Sequence, residues 1–159
     1  MYKIGDKIVY PMHGAGIIEQ IEKREILGKI KEYYILNVSC GDMGIMIPVD
    51  NCDKIGIRPI VSKERLAQII AVLGQDSSEM SDNWNKRHRE NMKQMKTGDI
   101  GAVAEIVRNL TRMDSIKKLS TGEKKMLTNA RRILQSELML IEEIDEEKAA
   151  GIIDKAIWS

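Results

Sequence analysis

The sequence predicts an α+β protein in which a small β-barrel is followed by an all-α region. Two observations support this class. Residues 1-60 carry short runs rich in β-branched and aromatic residues, separated by Gly, Pro and Asp. Beyond Pro59, apolar residues recur at helical spacing. A chain of 159 residues allows one or two small domains. We therefore expect a β domain over residues 1-60 and a helical domain over residues 61-159.

About five short strands are expected in the first domain. They cover residues 7-10, 17-23, 32-38, 45-48 and 55-58. We interpret Gly14-Ala15-Gly16 as a bend between the first two strands and Ile26-Leu27-Gly28-Lys29 as a hairpin turn. Five short strands in so few residues are typical of a small SH3-like or Tudor-like barrel. Such a barrel is too small for a deep catalytic pocket and more often presents an edge strand or a groove to a partner.

About five helices are expected in the second domain. Ser62 can cap the first, and either Ser81 or Asp82 can cap the second. The segment Thr97-Gly98-Asp99 ends the second helix and begins the third, and Ser120-Thr121-Gly122-Glu123 is a capping box that begins the fourth. The fifth helix is acidic at its start, as the helix dipole favours. The predicted outward side of the fourth helix carries Lys124, Thr128, Arg131 and Gln135.

The charges of the chain balance overall but are unevenly distributed. The net charge is only +1 at pH 7. Residues 84-132 nevertheless hold thirteen cations against five anions, whereas residues 136-159 hold two cations against seven anions. This asymmetry indicates one local phosphate-facing surface rather than a protein that binds polyanions with its whole surface.

Several function classes have little support in the sequence. No apolar run approaches the length of a membrane span, and the N-terminus has no apolar signal-peptide core, so we expect a cytoplasmic protein without membrane contact. Cys40 and Cys52 lack the spacing of a zinc site, and free thiols are expected. His13 and His88 have no third group at a spacing that suits a catalytic triad or a metal ion. We therefore expect no cofactor, no metal and no enzymatic activity.

Trp84 is the most informative residue, because the chain has no Phe and only two Trp. It lies in the basic stretch Asn83-Trp84-Asn85-Lys86-Arg87-His88-Arg89. An aromatic wedge beside cations is suited to gripping distorted nucleic acid. On a helix, one side of this segment is almost purely basic, with Glu90 as its only acid. The cations of that side are Lys86, Arg89, Lys93 and Lys96.

A core position is the alternative interpretation of Trp84. On the same helix, Trp84, His88, Met92 and Met95 fall roughly on one side, which could simply pack against other helices. The basic side of the helix favours the nucleic-acid interpretation, but the sequence leaves both possibilities open. A buried Trp84 would make its replacement by alanine costly for the fold, whereas an exposed wedge would not.

The chain resembles the CarD/CdnL family of bacterial transcription regulators. Its opening, Ile4-Gly5-Asp6-Lys7-Ile8-Val9-Tyr10-Pro11-x-His13-Gly14, is similar to the start of that family, and its N-terminal part is also similar to the polymerase-interacting domain of the transcription-repair coupling factor. No ATPase or helicase motif follows. Further similar blocks, in matching order, are Glu32-Tyr33-Tyr34-Ile35-Leu36, Met46-Ile47-Pro48, the basic stretch around Trp84, Thr97-Gly98-Asp99 and Leu119-Ser120-x-Gly122-Glu123-Lys124-Lys125-Met126-Leu127-x-x-Ala130-Arg131.

The resemblance implies a two-part adaptor that acts in transcription initiation. The Tudor-like domain would bind the β subunit of bacterial RNA polymerase, and the helical domain would bind promoter DNA at the upstream edge of the bubble and stabilise the open complex. The protein would act as a monomer. The implied polymerase contacts are Arg24, Met46 and Pro48. The implied DNA contacts are Trp84 as a minor-groove wedge, Lys86, Arg87, Arg89 and Lys93 on phosphates, and Lys124, Lys125 and Arg131 as a second basic patch.

Two other functions stay open at this point. The chain could be a free-standing architectural DNA-binding protein, which a steep salt dependence of its own DNA binding would favour. It could also be a pure protein-protein adaptor on RNA polymerase, in which Trp84 is structural and the basic face contacts acidic protein surfaces. The sequence does not determine how the two domains are oriented relative to each other.

Overall fold

The computed structural model describes residues 1–159 and confirms the α+β class. The strands are β1 (Lys7–Tyr10), β2 (Gly14–Ile26), β3 (Lys29–Val38), β4 (Met43–Pro48) and β5 (Arg58–Pro59). The helices are α1 (Cys52–Ile55), α2 (Lys63–Gly74), α3 (Trp84–Lys96), α4 (Ile100–Ile116), α5 (Thr121–Glu142) and α6 (Glu146–Trp158). The strands form one antiparallel sheet in the order β4-β3-β2-β1-β5, so β4 and β5 lie at its edges.

The long hairpin of β2 and β3 confirms the predicted turn. Leu27 and Gly28 have φ values of 52° and 78°, as a two-residue type I′ turn requires. The bend predicted at residues 14-16 is wrong, since these residues begin β2 and pair with β1. Their glycines serve close packing instead. A Cβ on Gly16 would lie 2.3 Å from the backbone oxygen of Asn37, so only glycine lets β2 approach β3 this closely.

The end of the sheet also differs from the prediction. The sequence predicts a strand over residues 55-58, but Ile55 is the last residue of α1. Gly56 follows with a φ of 86° and donates its N–H to the Cys52 oxygen, which ends the helix in a left-handed cap. The last strand is therefore only two residues long, Arg58–Pro59, and pairs with β1. The apolar residues on either side of Gly56 belong to different elements, which alternation alone does not distinguish.

The five predicted helices are confirmed as α2 to α6. The Ser62 hydroxyl accepts a hydrogen bond from the N–H of Arg65, and the Ser120 hydroxyl accepts one from the N–H of Glu123. The predicted cap of α3 is wrong, because neither Ser81 nor Asp82 occupies it. The side-chain oxygen of Asn83 accepts the N–H of Lys86 at 3.2 Å, so α3 begins at the next residue, which is Trp84.

Three hydrophobic clusters hold the chain together, one in the sheet, one among the helices and one between the two. The sheet cluster includes Ile8, Ile18, Leu36 and Ile47, all fully buried. A larger cluster fills the space between α2, α3, α4, α5 and α6. A third cluster lies between them, where Val9 and Ala15 of the sheet pack against Leu140 of α5. The helices are thus not separate from the sheet, because one face of the sheet packs on α5.

Polar groups of α5 complete this contact between sheet and helices. The Ser136 hydroxyl accepts the N–H of Ala15 at 2.8 Å, and the Ser136 carbonyl accepts the Ser39 hydroxyl at 2.9 Å. Gln135 accepts a weak hydrogen bond from the thiol of Cys40. The predicted outward position of Gln135 is wrong, because this residue is buried. This side of α5 is polar because its side chains and backbone form hydrogen bonds with polar groups of the β domain that would otherwise be buried without partners.

An ion pair lies at the centre of the same contact. Glu137 of α5 accepts two hydrogen bonds from the Arg58 guanidinium, at 2.8 and 2.9 Å, and a third from the N–H of Val61 at 2.9 Å. Arg58 also donates to the carbonyl of Gly98, between α3 and α4, at 3.0 Å. The Glu137 side chain is 2% exposed. Arg58 therefore connects β5, α5 and the start of α4 through charge-assisted bonds.

Two arginines of the basic segment have a structural role. Arg108 is 2% exposed and donates to the Val72 carbonyl, and Arg112 donates to the Leu73 and Gln75 carbonyls. These carbonyls lie in and just after the last turn of α2, where carbonyls lack the regular hydrogen bond from the residue four positions on. Part of the positive charge of residues 84-132 thus caps a helix inside the protein instead of facing a ligand. No helix combines the length and apolarity that crossing a membrane requires.

Candidate functional site

The start of α3 presents Trp84 at the surface. The residue is 53% exposed, whereas Asn91 and Met95 further along the helix are buried. His88 and Met92 lie half-buried between them. The side of α3 proposed above as a core face is therefore buried only in its second half, and Trp84 projects beyond it. An indole that is more than half accessible can contact a partner without local unfolding.

Four exposed cations line the other side of α3, as predicted. They are spread over nearly three turns, which allows several of them to contact one polyanion. None forms an ion pair, so their charges are available to a ligand. These residues are Lys86, Arg89, Lys93 and Lys96.

Arg87 occupies a different environment from these cations. Its guanidinium donates to both carboxylate oxygens of Glu123, at 2.7 and 2.9 Å, and to the Ser81 carbonyl at 3.0 Å. The two charged side chains are only 12% and 3% exposed. The Glu123 hydrogen bond raises the pKa of Arg87, which remains charged. Arg87 thus fastens the start of α3 to the start of α5 and is the least accessible of the predicted phosphate contacts.

The ion pair between Arg87 and Glu123 should make the stability of the fold depend on pH in the acid range. Hydrogen bonds from Arg87, and to a lesser extent from Ser120, hold the pKa of Glu123 below its ordinary value. A lowered folded-state pKa stabilises the fold above the unfolded value, about 4.3, and this contribution is lost as the pH falls through the folded value. We expect Glu123→Gln to lower Tm clearly at pH 7 and much less near pH 3. Thermal melts across this range check it; a constant difference contradicts it.

The second predicted basic patch is only partly assembled. Lys124 and Lys125 are exposed at the start of α5, but Arg131 is paired with Asp154 of α6 at 2.9 Å. Arg132 takes its place in the patch. A shallow depression of about 410 Å³ is lined by Thr121, Lys124, Lys125, Thr128, Asn129 and Arg132.

A larger cleft lies beside Trp84, between the start of α3 and the loop that joins α4 to α5. Its volume is about 680 Å³. Lys117 and Lys118 of the loop line this cleft, and both side chains are exposed. Sequence reasoning did not single them out, although they lie in the basic segment 84-132. The signal that could have identified them is a pair of lysines in the short loop after α4, just before the capping box that begins α5.

The three predicted polymerase contacts share one face of the sheet. Pro48 pairs with Tyr33, and Met46 pairs with Ile35, on edge strand β4. In β2, Glu22 pairs with Tyr33, so it lies on the same face as Pro48. Arg24 follows Glu22 by two positions and lies on that face too, because strand residues two apart point the same way. Met46 is 39% exposed. Tyr33 and Ile35 extend the apolar area, and the alternation of β3 is the signal that could have identified them.

The cysteines and histidines of this protein form no metal site, and the cysteine thiols are not activated. No group of three or more His, Cys, Asp or Glu side chains lies close enough to hold a metal ion. Both cysteines are free and buried. Burial raises the pKa of the Cys40 thiol to about 11, so it is protonated and weakly nucleophilic near neutral pH. The notable surfaces are a half-exposed Trp among free cations and an apolar sheet edge, both of which are suited to binding.

Comparison with known proteins identifies the family. The family model for the CarD C-terminal domain matches residues 68–154, and that for the CarD-like/TRCF RID domain matches residues 2–61. The chain is also 43% identical to YdeB of Bacillus subtilis (strain 168), a protein named as a candidate transcription factor, over 148 residues that cover 93% of this chain and 97% of that protein. The chain therefore belongs to the CarD-like transcription factor family.

Proposed function

We propose that this protein binds the β subunit of RNA polymerase and promoter DNA together and stabilises the open complex. Trp84 is the minor-groove wedge at the upstream edge of the bubble, and the protein acts as a monomer in the bacterial cytoplasm. One observation carries this proposal: a Trp that is 53% exposed begins a helix whose other side is a row of unpaired cations. The family models and the transcription-factor name of the relative support the same function.

The wedge can stabilise the open complex because it inserts where the DNA is already distorted. Inserting an aromatic side chain between base pairs costs a few kcal/mol of unstacking, and this cost is smaller at the junction with melted DNA. Trp84 then binds the open state better than the closed state, which shifts the population toward the open complex. A preference of about 1.4 kcal/mol changes the ratio of the two states tenfold.

The cations supply the part of the affinity that does not depend on sequence. Lys86, Arg89 and Lys93 on α3 contact phosphates beside the wedge, and Lys124 and Lys125 contact them from α5. Phosphate neutralisation releases counterions, so this part weakens as the salt concentration rises. Arg87 has a positioning role in this proposal, since Glu123 already occupies its guanidinium.

The polymerase contact lies on the outer face of the sheet at its β4 edge. An exposed edge strand offers unpaired backbone groups, and Met46, Tyr33 and Pro48 give an apolar surface next to it. Arg24 lies at the margin and is paired with Glu22. The matched RID domain supports a polymerase partner for this half of the chain. Because Glu137 and Ser136 fasten α5 to the sheet, polymerase bound at β4 would fix the direction of α3.

The test compares two tryptophans that are similarly exposed. Trp158 is 56% exposed in the last turn of α6, so it is a matched control for Trp84. We expect wild type and Trp158→Ala to lengthen the lifetime of promoter open complexes formed by the polymerase of the same bacterium. Trp84→Ala should lose most of this effect, about tenfold in lifetime if the wedge contributes 1.4 kcal/mol, while its melting temperature stays near that of wild type. An open-complex lifetime that is the same with and without the wild-type protein would contradict the proposal.

A further inference from the structure

We propose that the cleft between the start of α3 and the α4–α5 loop binds the separated DNA strand, with Lys117 and Lys118 on its phosphates. The inference rests on the proposed function and adds a second DNA surface to it. The separated strand means the single strand that leaves the duplex at the edge of the bubble. The two surfaces would lie on either side of Trp84, with duplex phosphates on the basic side of α3 and the separated strand in the cleft.

The composition of the cleft fits a nucleotide. The exposed indole of Trp84 and the apolar side chains of Met113 and Leu119 line it together with the two lysines. Bases stack on aromatic side chains irrespective of sequence, and cations beside the stack hold the backbone. The volume of about 680 Å³ lies within the range of sites that bury a small ligand, so a base with its sugar and phosphate fits.

The charges of the cleft favour a phosphate. Lys117 and Lys118 have no carboxylate within ion-pair distance. Arg87 and Glu123 also line the cleft, but they neutralise each other. The remaining acid is Asp82, which leaves the cleft with a net charge of +1. The backbone phosphates of a strand beside a stacked base match two unpaired lysines better than an acidic protein surface with several carboxylates does.

The position of the cleft favours a single strand over a duplex. A base can stack on a side chain only after it has left its neighbours, as happens in single strands. Trp84 lines the cleft and is also the wedge, so a nucleotide displaced by the wedge needs to move only a short distance. The row from Lys86 to Lys96 runs along the opposite side of α3 and serves the duplex instead.

The test measures binding to a forked DNA and to a fully paired duplex of the same sequence, by fluorescence anisotropy at several salt concentrations. Wild type should bind the fork several-fold more tightly. The double variant Lys117→Gln/Lys118→Gln should lose several-fold in fork affinity and keep its duplex affinity, and only the part of the preference that comes from the Trp84 wedge should remain. Its salt slope on the fork should flatten by about 1.4, as expected for two lost single-strand phosphate contacts. Lys148→Gln/Lys155→Gln, with two exposed lysines on α6, is the control and should match wild type.

A chemical change in the DNA makes the test specific. Neutral methylphosphonate linkages in the single strand next to the junction should weaken fork binding by wild type. They should not weaken fork binding by the Lys117→Gln/Lys118→Gln variant, because that variant already lacks the lysines that contact these phosphates. A fork affinity in this variant that equals that of wild type overturns the inference and leaves the Trp84 wedge intact. A variant that weakens polymerase binding but not fork binding also overturns it and assigns the cleft to a protein. Loss of the open-complex effect of wild type would instead remove the proposed function.

Discussion

Replacing Arg58 with alanine is expected to lower the free energy of unfolding by about 3 to 5 kcal/mol, because it leaves a buried carboxylate without its partner. The Glu137 side chain is 2% exposed and accepts two of its three hydrogen bonds from Arg58. Arg58 also holds the Gly98 carbonyl, so the contact between the sheet and α4 is weakened too. For a chain of this size the fall in Tm should be roughly 10 °C or more.

An exposed ion pair in the same sheet provides the control. Arg24 is bonded to Glu22 at 2.7 Å, but the two side chains are 52% and 31% exposed. Arg24→Ala should therefore cost less than about 1 kcal/mol. Adding Glu137→Gln to Arg58→Ala should recover part of the loss, since the buried charge is removed and the amide oxygen can still accept the Val61 N–H. Equal urea-unfolding curves for the Arg58 and Arg24 variants would show that the buried pair does not stabilise the fold.

Replacing Arg87 with alanine is expected to cost a similar amount of stability, about 3 to 5 kcal/mol, and to remove the open-complex effect. The first loss arises because Glu123, 3% exposed, keeps a charge without a partner. The second arises because Arg87 holds the start of α3 against α5, and the position of Trp84 depends on that contact. Urea unfolding measures the stability, and open-complex lifetimes below the melting temperature of the variant measure the function.

Two further variants separate a positioning role of Arg87 from a phosphate contact. Glu123→Gln keeps the Arg87 charge but weakens the clamp, so the positioning role predicts a shorter open-complex lifetime. If Arg87 bound phosphate, freeing its charge should preserve or lengthen the lifetime. Arg89→Ala, two residues along α3 and exposed, should leave stability unchanged and flatten the salt dependence of DNA binding by about 0.9 for one duplex phosphate contact.

Much of the fold follows from local patterns in the sequence. Leu27-Gly28 has the chemistry of a tight hairpin turn, and Ser62 and Ser120 have that of helix caps; all three form as predicted. The cap of α3 was misplaced by one or two residues, since Ser81, Asp82 and Asn83 can all accept the same hydrogen bond. The glycines of residues 14-16 were misinterpreted, because a glycine needed for close strand approach looks like a glycine needed for a bend.

The polar side of α5 shows most clearly why the site could be predicted only in part. Helical spacing places Gln135 and Arg131 on a polar side of α5, which predicts that both face water. Gln135 instead contacts the sheet, and Arg131 contacts α6. A polar side chain that is satisfied by a distant part of the chain has the same periodicity as one satisfied by water. The sequence therefore predicts that such a position is polar but does not identify its partner.

By itself, the sequence determined the α+β class, the order of the elements and the placement of Trp84 at the start of a basic helix. These features depend on side chains that are near one another along the chain. Only the tertiary structure decided that Arg87 is bound to Glu123, that Arg58 joins the sheet to α5, and that Lys117 and Lys118 lie beside Trp84. Those relations join residues 30 or more positions apart, and they are fixed by how the elements pack together, which local spacing does not encode.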